Sequence, residues 1–162
     1  MKRLLCLLGI LLLCSCSDPA GVVKDAKMAR YPDRTIGQAM EQSFSNGVWK
    51  SAAHPGGGRD VIFVGIITNA THHRAVKDFL AKAAQNPAAF TLPDGVAALK
   101  GEELAAALAK LTDDYWPAGS PVELIWSDAA GDGTYILKHM ENASWSAFGL
   151  TQDMILQVIF AR

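Results

Sequence analysis

The run Val61-Ile62-Phe63-Val64-Gly65-Ile66-Ile67 is the most legible piece of this sequence. Seven residues, six of them branched or aromatic apolar side chains, have the length and composition of a β-strand rather than a helix. Apolar residues occupy both alternating faces, so the pattern predicts a strand that is central in its sheet and covered on both sides. Pro55-Gly56-Gly57-Gly58 stands just before it as a turn, and Val48 to Ala53 before that reads as a partner strand.

Outward from this hairpin the chain alternates between helical and extended patterns. Upstream, Thr35-Ile36-Gly37-Gln38 has the spacing of a capping box, with Ile36, Met40 and Phe44 on one side of the helix that follows. Asn46-Gly47 is placed to end that helix, because such pairs tolerate a left-handed conformation. Downstream, Thr71 can cap a helix whose Val76, Phe79, Leu80 and Ala83 recur at i, i+3, i+4, i+7. A second helix spans Glu102 to Tyr115, with its acids at the start, where the helix dipole favours them. Val122 to Ser127 and Thr134 to Met140 form a second hairpin around Ala130-Gly131-Asp132-Gly133, and Thr151 caps a last helix. The expected fold class is α+β: one domain with a four-stranded antiparallel sheet, helices packed on it, in the order α-β-β-α-α-β-β-α.

The other end of the chain gives an address. Lys2 and Arg3 precede an apolar run from Leu4 to Leu13, broken only by Cys6 and Gly9. Ten residues suit the core of a signal peptide and fall short of the roughly twenty a spanning helix needs. Leu13-Cys14-Ser15-Cys16 resembles the lipobox of bacterial lipoproteins. The resemblance implies that the chain is cut before Cys16, whose thiol carries a diacylglyceryl group. It implies a signal peptide over 1–15, a lipidated N-terminus and flexible tether over 16–34, and the folded domain over 35–162. Ser17 after the cysteine leans towards the outer membrane, facing the periplasm of a Gram-negative cell. Thr35-Ile36-Gly37, Trp49, the Gly56 to Gly58 turn and Val61-Ile-Phe63-Val-Gly65 also resemble a loose group of small Gram-negative envelope lipoproteins. That likeness implies adaptor or partner-binding behaviour.

Composition removes several kinds of chemistry. All three cysteines lie within the first sixteen residues, so the domain has no thiol nucleophile, disulfide or cysteine zinc site. Without the first 15 residues, 147 remain, with 13 basic against 16 acidic side chains. No basic cluster tracks a phosphate backbone, so nucleic acid is not an expected partner. The expected membrane contact is the lipid.

Candidate catalytic groups lack signatures. His72 and His73 are adjacent and point about 100° apart on a helix, and no i, i+4 histidine pair exists; neither a metal nor a cofactor is expected. No serine sits in a nucleophile motif, and Glu102/Glu103 and Asp113/Asp114 read as solvated helix ends. Gly56 to Gly58 with Arg59 lacks the helix and Lys-Ser/Thr of a phosphate loop. The aromatic residues are the remaining candidates: Trp145 in a polar linker, with Trp116 and Tyr115, is the expected partner-binding surface.

The expectation is therefore a lipid-anchored, non-enzymatic binding module for an envelope or secreted protein, either an assembly accessory or an immunity-type lipoprotein. The alternative is a small envelope hydrolase acting on peptidoglycan or lipid through His54, His72 or His139. A third reading, carriage of an apolar ligand, requires a cavity between sheet and helices.

Overall fold

A computed structural model describes residues 18–161. Cys16, its lipidation and the signal peptide lie outside the described residues. Two short helices begin the fold: α1 at Pro19–Asp25 and α2 at Ile36–Ser43. Strands β1 (Phe44–Ala53) and β2 (Arg59–Ile67) follow, then α3 (Asn69–Gln85) and α4 (Gly101–Ala109). Strands β3 (Pro121–Asp128) and β4 (Ile136–Glu141) complete the sheet, and α5 (Ala143–Ala147) and α6 (Gln152–Phe160) end the chain. The sheet is antiparallel throughout, in the spatial order β1-β2-β3-β4. The α+β class and the order of the eight expected elements are present, with α1 and α5 in addition. No helix among the described residues is long and apolar enough to cross a membrane.

Helix starts follow local chemistry. Asp18 accepts from the N–H groups of Ala20 and Gly21, and Pro19 occupies the first turn, where no donor is missed. Thr35 and Gln38 form the reciprocal capping box at 3.2 and 2.9 Å. Helix α3 is capped by Thr68 rather than Thr71; the Thr71 side chain is fully buried and donates instead to the Ser43 carbonyl at 2.7 Å.

Four further expectations change. The stretch 16–34, read as a flexible tether, holds a docked helix: Ala20 and Val23 of α1 are buried, and Ile36 N–H donates to the Ala26 carbonyl at 2.8 Å. A seven-residue helix with two inward residues is too short to show periodicity, which is why the sequence reads as irregular. Asn46-Gly47 does not end α2. Strand β1 already begins at Phe44, and Asn46, with φ of 53°, lies in a bulge between Ser45 and Val48. A side chain at Gly47 would meet the Phe63 ring at 2.9 Å, so the strand needs glycine to pass over that ring. The second long helix ends at Ala109, where the Thr112 hydroxyl donates to the terminal carbonyl at 2.9 Å; the chain then turns. Finally, β2 is central but is covered on one face only.

That covered face carries Phe44, Val61, Phe63, Ile67, Val122, Leu124 and Trp126, all buried. Trp49 packs over it, 4.9 Å from the Phe63 ring and 5.5 Å from Trp126. A second aromatic group ties α3 to the C-terminal half. Phe79 stacks on Tyr115 at 4.3 Å, Phe148 meets Tyr115 edge-on at 5.0 Å, and Trp116 lies 5.0 Å from Trp145.

One polar residue joins the layers. Ser43, fully buried at the end of α2, donates from its hydroxyl to the Ile159 carbonyl of α6 at 3.0 Å. The same hydroxyl accepts from Arg74 of α3 at 3.2 Å, and Arg74 Nε reaches the Val158 carbonyl at 3.0 Å. Burial and the nearby Arg34 push the Arg74 pKa below its ordinary value.

Two stability outcomes follow. Val23→Ala should lower the unfolding free energy by about 1.5 kcal/mol or more in a denaturant titration, since a buried valine is lost; a tether residue would give no change. Ser43→Ala should cost about 1–3 kcal/mol, because the Ile159 carbonyl and Arg74 both lose a partner. Loss below about 0.5 kcal/mol in either variant would contradict the packing described.

Candidate functional site: the open face of the sheet

Alternation along each strand sends every second side chain away from the helices. The registers place these outward residues in rows across the sheet. Ala52, Asp60, Ser127 and Ile136 form one row, and Lys50, Ile62, Ile125 and His139 the next. Val48, Val64, Glu123 and Glu141 form the third, and Ser45, Ile66 and Pro121 the last. The centre is therefore branched aliphatic. Ile62, Val64, Ile66 and Ile125 are only half-buried, while Val48 and Ile136 are 48% and 54% exposed. This explains why the Val61–Ile67 run is apolar on both faces without being covered on both.

The rim is charged and asymmetric. Lys50 stands on β1 at one edge. At the other edge Glu123 of β3 lies directly opposite Glu141 of β4, with His139 two residues along on the same face. His139 Nε2 is 3.2 Å from a Glu141 carboxylate oxygen, and one donor atom from each of the three residues lies within 4.8 Å of the others. A bulge between Ile125 and Trp126 of β3 accommodates Lys138 as the extra residue on β4. It lets Leu137 join the core face while His139 and Glu141 point outward.

A second polar group marks the hairpin end of the same face. His54 Nδ1 is 2.9 Å from an Asp60 carboxylate oxygen. The Ser127 hydroxyl holds the Asp60 pKa below its ordinary value, burial opposes this, and His54 assists. The carboxylate thus sits between serine and histidine. A nucleophilic serine requires the imidazole in that middle position, so this arrangement orients groups but does not activate Ser127.

The aromatic candidates are elsewhere. Trp145, Trp116 and Tyr115 are at most 2% exposed, so none offers a partner surface. Trp145 sits on the inner side of the five-residue helix α5. The polar residues that make its surroundings look exposed are consumed locally: Asn142 caps α5 and its amide donates to the Pro121 carbonyl at 2.8 Å, while Ser144 Oγ donates to Asn142 at 2.6 Å. Burial, with Asp78 nearby, drives the Tyr115 phenol pKa far up, as expected of a core residue. Trp116 adopts φ of 52°, a left-handed conformation that costs energy in a non-glycine residue and is held here by packing and by His72 Nδ1 on its carbonyl at 3.1 Å.

His72 and His73 start α3 on the helical layer, away from the sheet's open face. On that layer a groove of about 590 Å³, open to solvent, is lined by Thr91, Leu92, Leu111, Asp114, Pro117 and Phe148. It is a surface cleft rather than a cavity between sheet and helices, so it does not supply the enclosed void that ligand carriage requires. The open face and its Glu123, His139 and Glu141 rim escape a reading by sequence spacing, because the residues meet across strands. Only the register brings position 123 beside 141.

The Asp60 carboxyl has a folded value below its unfolded one. Its contribution to stability is present above the ordinary 3.8 and is lost as pH falls through the lowered folded value. The stability difference between the wild type and Asp60→Asn should therefore be constant from neutral pH down to that region and shrink below it. Unfolding curves measured over this range that run parallel throughout would contradict the contact. Comparison with known protein families, with curated proteins and with solved structures gives no match to this chain.

Proposed function

We propose that this chain is a lipid-anchored protein-binding module of the bacterial envelope, held at the membrane through Cys16 and facing the periplasm. Its contact surface is the open face of the sheet. The observation that carries the reading is the uncovered block of Val48, Ile62, Val64, Ile66, Ile125 and Ile136 on a sheet whose other face carries the buried core. An exposed apolar patch with a charged rim is the usual surface of a docking site, and covering it releases about 25 cal/mol per Å². The rim sets the chemistry of the partner: an envelope or secreted protein with an apolar patch, an acid to meet Lys50 and a base to meet Glu123 and Glu141. Both an assembly accessory and an immunity-type lipoprotein fit this description.

The hydrolase reading on peptidoglycan or lipid calls for His54, His72 or His139 beside a serine or carboxylate in a cleft; His54 meets Asp60 and the exposed His139 meets Glu141, and neither histidine lines the groove by Phe148. We therefore propose binding without catalysis.

A photo-crosslinking residue placed at Ile125 in the membrane-tethered full-length chain should trap one protein that the same residue at Lys77 of α3 does not. The Cys16→Ala chain should trap it far less. Val48→Asp and Ile136→Asp should abolish the crosslink while changing stability by no more than about 0.5 kcal/mol, because both side chains are exposed. Equal trapping from both positions, or none from Ile125, would sink the proposal.

A further inference from the structure

We infer that Glu123, His139 and Glu141 form a binding site for a divalent transition ion of the zinc class. The three come from two adjacent strands: Glu123 is the register partner of Glu141, and His139 lies two residues before Glu141, hence on the same face. Their donor atoms already lie within 4.8 Å of one another. Zinc bonds of about 2.0–2.2 Å put neighbouring ligand atoms roughly 3–3.5 Å apart, so a modest rotation of side chains with room to move completes the set. His139 Nε2 and Glu141 Oε2, at 3.2 Å, already have that separation.

Two considerations go beyond the proximity of the donors. Like charges directly opposite on neighbouring strands destabilise a sheet, and Glu123 and Glu141 are such a pair. A dication between them reverses that interaction. The bulge at Lys138 then determines which way β4 presents its side chains: it turns His139 and Glu141 outward together while Leu137 stays on the core face. The donor set of one imidazole nitrogen and two carboxylates selects the metal class. Calcium requires six to eight oxygens and magnesium a nearly ideal octahedron of oxygens, whereas zinc accepts mixed nitrogen and oxygen at low coordination number. With three protein ligands at an exposed rim, a fourth position stays open to water or to a side chain from a docked partner. The site shares Glu123 and Glu141 with the docking face, but its test is zinc uptake by the purified chain and needs no partner.

Calorimetric titration of Zn²⁺ into the purified full-length chain in detergent tests it. One equivalent should bind, with affinity reduced about tenfold or more in each of His139→Ala, Glu141→Gln and Glu123→Gln. His72→Ala and His73→Ala should bind as the wild type does, and Ca²⁺ should not compete. Metal-free melting curves of Glu123→Gln and Glu141→Gln should match or exceed the wild type, since each removes one of two like charges placed directly opposite. Titration followed through the imidazole resonances should shift His139 and leave His72 in place. A wild-type chain that takes up no zinc, or uptake that survives His139→Ala, overturns the inference.

Discussion

The junction at Ser43 organises the molecule. Helix α2 ends there and β1 begins at the next residue, with no loop between them. The Ser43 carbonyl accepts from Thr68 N–H at 3.3 Å and from the Thr71 hydroxyl at 2.7 Å, which fixes the start of α3. Its hydroxyl is fixed between α6 and Arg74. One buried serine thus joins α2, the first strand, the long helix and the last helix. Buried polar groups of this kind are costly unless every partner is in place, and here the partners come from α6 and from the start of α3. Strand β2 ends one residue before Thr68 caps α3, so the same junction also sets how the chain leaves the sheet's centre.

This junction makes the sheet one-sided. Helices α2, α3 and α6 meet around Ser43, and α1 reaches α2 through the Ala26 carbonyl. The Lys24 ammonium of α1 lies 5.5 Å over the Trp49 ring, on the covered side. The helical material is gathered into one layer, and the opposite face keeps its aliphatic rows without a cover. Conformation near the core then depends on glycine at close approaches. A side chain at Gly65 would come within 2.9 Å of both Phe63 and Phe44, so the middle of β2 stays thin enough for the aromatic layer to settle on it.

The parts of this fold that depend on local chemistry were readable in the sequence. The Thr35/Gln38 capping box, the Pro55–Gly58 turn, the central strand and the second hairpin all announce themselves within a few residues. What could not be read depends on tertiary partners. The helix at Pro19–Asp25 carries two inward side chains, too few to distinguish it from a linker. Trp145 looked exposed because its neighbours are polar, yet those neighbours bond each other and leave the indole to the core. The apolar run at Val61–Ile67 was read as covered on both faces, since sequence pattern cannot separate a face covered by the chain itself from one left open. The cluster at Glu123, His139 and Glu141 was invisible for a different reason: it is a property of strand register, including a bulge that no spacing in the sequence reveals.

Helix α1 also changes what an anchor at Cys16 would mean. A tether of eighteen or so residues would let the domain wander tens of ångströms from the bilayer. With Asp18 capping a docked helix, the lipid-bearing residue of the proposed lipoprotein stands only two positions earlier, a reach of about 7 Å at full extension. Pro19 and Val22 share a groove with Gly58, Arg59, Asp132 and Gly133, the turns at the hairpin end of the sheet. That end would then be held close to the membrane. There the strands pack tightly as well, since a side chain at Gly58 would collide with the Asp128 carbonyl oxygen. The row of Ser45, Ile66 and Pro121 lies at the far end of the strands. An anchor at the hairpin end would leave the aliphatic rows of the open face between that end and the far one.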